Sequence, residues 1–275
     1  MTVTQPGTVD GLHAQVRAAG VGALASFWYY RKTDVEATIA AKFGAGNRVP
    51  ILADSGAFSA HTKGARIDIA EYADWLHRWK HLFSVYVNLD VIGDADKSWA
   101  NQQYLESRGL HPLPVFHAGS PWSALERMCE SHSYIGIGGI AIRRQRDYMP
   151  WAIRVHRFMQ SRGVLAHGFG ATAWDALRLP AWKSCDSTSW QAGQRYGSLL
   201  IFTPEKGLFQ CRRPNLHTHE RQLRRLGFTV PEVVAATRGD RELSSRIAVA
   251  AVAAAQRQVR AWHCPEFTLY LAGVL

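Results

Sequence analysis

The sequence has few cysteines and no close pair of them. Its 275 residues include only Cys129, Cys185, Cys211 and Cys264, and no two of these form a Cys-x-x-Cys pair. Scattered thiols are typical of a reducing compartment, whereas small secreted domains carry dense disulfide frameworks. The pattern therefore predicts reduced thiols and a cytoplasmic location.

Long apolar segments are also missing. The longest, IAVAAVAAA at residues 247–255, is far short of a membrane-spanning helix. The first residues, MTVTQPGTVDG, have neither the basic start nor the apolar stretch of a secretory signal. We therefore expect no signal peptide and no membrane segment, and we interpret the alanine-rich stretch as a buried helix.

Acidic residues are outnumbered by basic ones. The chain has 32 Lys and Arg against 22 Asp and Glu, a formal net charge of +10. Such an excess favours a polyanionic partner, either nucleic acid or an anionic membrane surface. The apolar fraction of 47% is ordinary and allows a substantial core.

Eight short apolar runs follow one another, with helix-like or polar stretches between them. Most are continuously apolar, which is typical of strands buried on both faces. The runs are residues 22–30, 49–56, 84–90, 111–117, 134–139, 164–170, 182–190 and 198–203. Eight strands alternating with helices predict an α/β fold, the (β/α)8 TIM barrel, which chains of this length form as one unit.

Helical signals between the runs agree with this prediction. Apolar residues recur at helical spacing over residues 69–79. Gly109 is placed to end a helix, and Ser120 with Pro121 is placed to begin the next. The alternative is an open doubly wound sheet, but no glycine-rich phosphate-binding turn follows the first run.

The pattern changes after Thr203. Residues 204–275 are helix-like and rich in arginine. We therefore predict a catalytic barrel over residues 1–203 and a basic, helical C-terminal extension over residues 204–275 that packs on it.

Carboxylates, imidazoles and glycines recur where the predicted strands end. In a TIM barrel, these carboxyl ends form the active site. The ends carry Asp54, Asn88 with Asp90, His117, Gly138 with Gly139, His167 with Gly168 and Gly170, and Asp186. One isolated acid at such a position commonly caps a helix, but six strand ends in agreement predict a site.

Three acids with glycines suggest displacement at a sugar carbon. One carboxylate would attack, a second would move protons and a third would recognise the ligand. Glycines let a flat ligand approach the backbone, and Phe58 is placed to stack on it. Metal-dependent hydrolysis is the competing chemistry, although the His-x-His of the chain, at His217 and His219, lies in the tail.

These motifs resemble those of the tRNA-guanine transglycosylases, which are (β/α)8 barrels. ADSGAF resembles the family's DSGGF turn, and VNLDVIGD, VFHAG, IGIGG, HGFG and SCDSTSW follow in the family's order over residues 50–190. Each motif is weak alone, but six in the correct order are moderately specific. His117 departs from the family, which has glutamine there.

The resemblance implies a catalytic role for two of the acids. Asp186 would be the nucleophile that attacks C1′ of a nucleotide and displaces guanine, and a 7-deazaguanine base would then attack the covalent intermediate. Asp54 would be the general acid/base for the leaving and entering bases. Asp90 would accept hydrogen bonds from N1–H and the exocyclic amine of guanine.

The resemblance also implies how the base is held. Gly139 would offer its N–H to O6, and the backbone of the pair Gly138 and Gly139 would contact guanine. Phe58 would stack on one face of the base, and His167 with Gly168 would flank the other. His117 would contact the base in place of the glutamine.

Zinc is where the chain departs most from the family. The family's Cys-x-Cys-x-x-Cys spacing is missing, and the corresponding region offers Cys211, His217, His219 and Cys264 instead. We therefore predict no metal and no cofactor, and a degenerate site at these residues stays open. This departure and the short chain resemble phage and genomic-island relatives that insert 7-deazaguanine into DNA, whose strand reads DSTSW as residues 186–190 do.

DNA is therefore the expected partner, in a phage-encoded or host-cytoplasmic setting, with tRNA as the alternative. The target base would have to leave the duplex, and Arg143, Arg144 and Arg146 would contact the flanking phosphates. A glycosidase using Asp54 and Asp186 with water, and a barrel that only binds nucleic acid, are the other readings. The sequence leaves open whether the chain acts alone, as a homodimer or with a partner subunit.

Overall fold

Eight parallel strands form the centre of the molecule. The computed structural model describes residues 10–140, 144–188, 190–191 and 198–275. These eight strands are β1 (Gly22–Ser26), β2 (Ile51–Asp54), β3 (Val85–Tyr86), β4 (Val115–His117), β5 (Tyr134–Gly138), β6 (Leu165–Gly168), β7 (Trp182–Ser187) and β10 (Thr268–Ala272). A separate two-stranded sheet consists of β8 (Ser198–Thr203) and β9 (Gly207–Arg212).

Helices alternate with the barrel strands and then dominate the tail. They are α1 (Gly11–Ala19), α2 (Phe27–Tyr30), α3 (Val35–Phe43), α4 (Ala57–Thr62), α5 (Ile69–Trp79), α6 (Ala95–Ser107), α7 (Trp122–Ser131), α8 (Gln145–Gln160), α9 (Trp174–Leu177), α10 (Glu220–Arg225), α11 (Val230–Thr237) and α12 (Arg241–Trp262). Short 3-10 helices span Lys80–Leu82 and Arg213–His219. The helix predicted over residues 69–79 is confirmed.

The parallel sheet curls until its two ends meet. Its strand order is β3-β2-β1-β10-β7-β6-β5-β4. Beyond the short β3, Val87 and Leu113 form a parallel bridge. Leu113 N–H donates to Tyr86 O at 2.8 Å, and Asn88 N–H donates to Leu113 O at 2.9 Å. These bonds join β3 to β4, so the predicted TIM-barrel fold is confirmed.

The identity of the eighth barrel strand corrects the sequence prediction. Strand β8, predicted as the eighth, pairs antiparallel with β9 in a separate hairpin. Its Leu199 and Ile201 pack with the C-terminal helices in a core of their own. The eighth barrel strand is β10, which pairs in parallel with both β1 and β7. The predicted boundary at residue 203 therefore separates the barrel from a strand that completes it.

Helix α12 holds β10 in place. The alanine-rich stretch lies within this 22-residue helix and is almost entirely buried, as predicted. Buried Gln256 donates to Gly20 O at 2.8 Å, just before β1, and accepts from Leu269 N–H of β10 at 2.8 Å. One side-chain amide thus fixes the seam between the first and last strands.

Polarity changes along the barrel interior. Leu52, Val87, Leu113, Val115 and Tyr270 pack together as an apolar cluster inside the sheet. Side chains two residues apart on a strand share a face, so the next inward position on β2 and β4 is Asp54 and His117. The middle of the interior is therefore apolar, whereas ionisable side chains lie at the carboxyl ends of the strands. We call this end of the barrel the mouth.

Two sequence predictions concern membrane segments and cysteines. Within the described ranges, no helix combines the length and the apolar character that crossing a bilayer requires. All four cysteines are unpaired, with Cys185 and Cys211 buried.

Candidate active site

Three carboxylates that are far apart in the sequence meet at the mouth. Asp54 ends β2 beside Ser26 of β1, and Asp186 lies near the end of β7 opposite Tyr270. Asp90 follows β3. The charges of Asp90 and Asp186 both raise the pKa of Asp54, so each of these two carboxylates lies near Asp54.

A tight turn explains why β2 ends on an acid. Gly56 adopts a left-handed conformation with φ of +76° and donates its N–H to Asp54 Oδ2 at 2.9 Å. A Cβ at Gly56 would lie 2.5 Å from Trp28 Cβ and 2.6 Å from Ser26 Oγ. Only glycine fits both the backbone angle and this space, and the turn fixes the carboxylate at the mouth.

The environment of Asp54 keeps a proton on it near neutral pH. Burial, together with the charges of Asp90 and Asp186, raises the pKa of Asp54 to about 7, and the backbone N–H of Gly56 acts in the opposite direction. A carboxyl group that titrates near neutral pH can both give and take a proton under working conditions.

Asp186 is held through one of its two oxygens. Oδ1 accepts the Gly170 N–H at 2.7 Å, and His167 Nε2 lies 3.7 Å from the same oxygen. The side chain is 11% exposed, so the carboxylate is restrained yet reachable from the mouth. Oδ2 is therefore the oxygen that these contacts leave for chemistry.

A buried chain of polar groups lies below Asp186. Tyr134 OH and Ser184 Oγ are 2.5 Å apart, and Ser184 Oγ is 2.5 Å from His167 Nδ1. His167 Nε2 is buried with no hydrogen-bond partner among the described residues. An N–H facing a carboxylate is favoured over a lone pair, so Nδ1 accepts from Ser184, and Ser184 accepts from Tyr134.

The prediction that His167 flanks a bound base does not match its position. The ring is wholly buried, and its neighbours are Ser184, Phe169 and Asp186. It lies one layer below the mouth and contacts the acid instead. Gly168 is also there for packing, because a Cβ would lie 2.6 Å from Ala171 Cβ and within 3 Å of the Trp182 ring.

Asp90 and His117 form a close pair on the other side of the mouth. His117 Nε2 lies 2.6 Å from Asp90 Oδ2, and the side chains are 22% and 13% exposed. The His117 ring lies over Gly138, where a Cβ would be 2.6 Å from it. His117 therefore orients Asp90, and Gly138 makes room for the ring.

Other predicted residues lie around the mouth. Gly139 follows β5 with φ of +76°, and Phe58 on α4 is 60% exposed. Arg144 and Arg146 are exposed at the start of α8, which follows β5, so they lie on the same side of the barrel as the acids. Arg143 lies outside the described residues.

The tail cysteines and histidines do not converge. His217 Nδ1 bonds Pro214 O at 2.8 Å, and His219 packs against Phe209. Among the described residues, no group of three or more His, Cys, Asp and Glu side chains is arranged to hold a metal ion.

Sequence reasoning missed several polar residues of the interior. Ser184 lies two residues before Asp186 and Tyr134 lies four residues before Gly138, so each shares the inward face of its strand and a period-two count would have found both. Tyr72, on α5, donates its hydroxyl to Val87 O at 2.6 Å, and burial together with the charges of Asp54 and Asp90 raises its pKa. Ser26 Oγ, buried beside the Gly56 turn, has no hydrogen-bond partner in the described part of the chain.

No protein-family model matches the chain. No curated protein matches it either.

Proposed function

We propose that the protein exchanges guanine in a nucleic acid for a 7-deazaguanine base through a covalent glycosyl intermediate on Asp186. The observation that carries the proposal is the convergence of three carboxylates at one barrel mouth, one of them with a pKa of about 7. Two acids in different environments supply the nucleophile and the proton carrier of a double displacement.

The contacts of Asp186 support its role as nucleophile. With Oδ1 bound to the Gly170 N–H, Oδ2 attacks C1′ as the bond from C1′ to N9 of guanine breaks. The leaving base takes its proton from Asp54. The incoming 7-deazaguanine then attacks C1′, gives its N9 proton to Asp54 and releases Asp186 as a carboxylate.

The pair of Asp90 and His117 supports recognition of guanine. A carboxylate accepts hydrogen bonds from N1–H and the exocyclic amine, and adenine lacks this donor edge. His117 at 2.6 Å fixes Asp90, so that a base without donors leaves the carboxylate poorly satisfied.

DNA is the polymer we propose. The net charge of +10 and the exposed Arg144 and Arg146 beside the mouth suit a polyanion. The choice of DNA over tRNA depends on the resemblance of residues 186–190 to the DNA-modifying relatives.

Label transfer tests the proposal. The protein is incubated with radiolabelled guanine or a 7-deazaguanine base and with either DNA or tRNA. Incorporation into DNA is the expected result, and incorporation into tRNA alone would reassign the polymer. Release of base without incorporation would indicate hydrolysis, and no reaction with either polymer would contradict the proposal.

Replacement of the nucleophile is the sharpest variant. Asp186→Asn should lose the covalent adduct and lower exchange by roughly 10⁴-fold or more, while circular dichroism shows an intact fold. Asp96→Asn is the control, since the Asp96 side chain is 95% exposed on α6. Normal turnover by Asp186→Asn would show that another group attacks.

A further inference from the structure

Two short helices at the mouth carry exposed aromatic and basic side chains. Helix α2 directly follows β1, and α4 begins three residues after Asp54, so both lie at the mouth. Tyr29 on α2 is 60% exposed. We call Trp28, Tyr29, Arg31 and Lys63 the aromatic rim.

The cations of the rim are held over rings. The Arg31 guanidinium lies 4.4 Å from the centre of the Trp28 ring and also donates to Trp28 O. Lys63 Nζ lies 5.3 Å from the Tyr29 ring centre and 5.8 Å from that of Trp28. Asp34, the nearest acid along the chain, instead accepts the Ala37 N–H at the start of α3.

No carboxylate in the described ranges lies within 4.0 Å of either rim cation. Both side chains are exposed. Their positive charge is therefore not neutralised by an ion pair and faces solvent beside the rings.

The rim lies directly against the turn that holds Asp54. A Cβ at Gly56 would lie only 2.5 Å from Trp28 Cβ, and the Gly56 N–H donates to Asp54 Oδ2. The rim therefore borders the mouth on the side of Asp54.

We propose that the aromatic rim binds the unpaired strand next to the reacting nucleotide, with Tyr29 stacked on a neighbouring base and Arg31 and Lys63 contacting phosphates. Exposed flat rings with unpaired cations are the combination that binds single-stranded nucleic acid without sequence preference. The inference depends on the proposed function only for the position of the reacting nucleotide.

Binding of a labelled oligothymidylate tests the rim without any base exchange, because the probe contains no guanine. Fluorescence anisotropy is measured with the full chain carrying Asp186→Asn, at several salt concentrations. Arg31→Ala with Lys63→Ala should weaken binding by about 10-fold or more. It should also lower the slope of log affinity against log salt by about 1.4, since each single-strand phosphate contact contributes about 0.7.

A matched pair of cations at the other end of the barrel provides the control. Exposed Arg162 lies 3.7 Å from the Phe158 ring, and exposed Arg157 lies in the last turn of α8, just before the segment that leads into β6. In the described ranges neither has a carboxylate within 4.0 Å. Arg157→Ala with Arg162→Ala removes the same two charges far from the mouth. We expect affinity within about 2-fold of the parent.

Stacking is tested separately from charge. Tyr29→Leu should weaken binding by about 5- to 150-fold, because leucine has no flat π-face, and Tyr29→Phe should retain affinity. Equal losses in both cation pairs, unchanged affinity of Tyr29→Leu, or binding to phosphatidylserine vesicles without binding to the oligonucleotide would each overturn the inference. The two proposals can fail separately. If the parent protein exchanges no base but the rim variants still lose oligonucleotide binding, the proposed function is contradicted and the rim remains a binding site.

Discussion

The barrel interior has an apolar lower layer and an ionisable upper layer at the mouth, and on each strand the two layers are only two residues apart. On β2, Leu52 lies in the apolar cluster and Asp54 at the mouth, and on β4 Val115 precedes His117 in the same way. The lower level removes apolar surface from water, whereas the upper level brings together carboxylates that repel one another. Stability and chemistry thus occupy adjacent layers, and substitutions in the two layers should have opposite effects on folding.

The largest effect on stability is expected in the lower layer. Leu52→Ala should lower the free energy of unfolding by about 2–5 kcal/mol, because it leaves a cavity inside the closed sheet. Urea denaturation measures this change. Val230→Ala, at an exposed position on α11, is the control and should stay within about 0.5 kcal/mol of the parent. Equal losses would mean that the barrel interior does not dominate stability.

The upper layer should show the reverse effect. Native Asp54 keeps its proton up to a pH of about 7, whereas in the unfolded chain the group titrates at 3.8. The unfolded state therefore binds fewer protons between these pH values, and the free energy of unfolding falls as pH rises, by up to about 4 kcal/mol from this one group.

Asp54→Asn should remove that fall. The variant should be more stable than the parent at pH 8 and inactive in exchange, because it cannot carry the proton. Urea denaturation from pH 4 to pH 8 measures the difference, with Asp96→Asn as the control that keeps the parent's pH dependence. A variant whose stability runs parallel to that of the parent over this range would show that Asp54 ionises normally.

Base selection is expected to change by a smaller amount. Asp90→Asn should reduce the preference for guanine over adenine by roughly 10- to 150-fold, since it removes a charged acceptor. Competition between the two bases for incorporation measures the ratio. His117→Gln keeps the carboxylate but not its imidazole partner and should lower the ratio less. An unchanged ratio in Asp90→Asn would place recognition elsewhere.

The smallest effect is expected below Asp186. Tyr134→Phe should lower the free energy of unfolding by about 0.5–1.5 kcal/mol, because Ser184 loses a hydrogen bond. The ¹⁵N spectrum of His167 should show the Nε2–H tautomer in the parent and a mixture of tautomers in the variant. Tyr29→Phe is the control with no expected change. An Nδ1–H tautomer in the parent would contradict the order of donors in the chain.

Local pattern predicted the barrel but not which late strand completes it. Strands β8 and β10 are both short and mostly apolar, and only the pairing of β10 with β1 and β7 distinguishes them. The predicted start of α7 is one residue too early, because Pro121 is the N-cap and not the first helical residue. Gly109 was placed correctly, with φ of +73° after α6.

The site shows a similar limit. The order of the apolar runs along the chain predicts which residues end the strands, and Asp54 and Asp186 were found in this way. The depth of His167 could not be predicted, because the pairing of β6 with β7 shifts register between Ala166 and His167. Such an irregularity depends on packing between strands and leaves no mark in the local sequence.

The place of β10 between β1 and β7 has a consequence for how the protein is made. Synthesis proceeds from the N-terminus, so seven barrel strands emerge before the one that joins the first to the seventh. Until Thr268–Ala272 follows, β1 and β7 each expose a row of unpaired backbone groups to other chains. The nascent barrel should therefore depend on chaperones more than a barrel whose last strand follows the seventh without a long intervening segment.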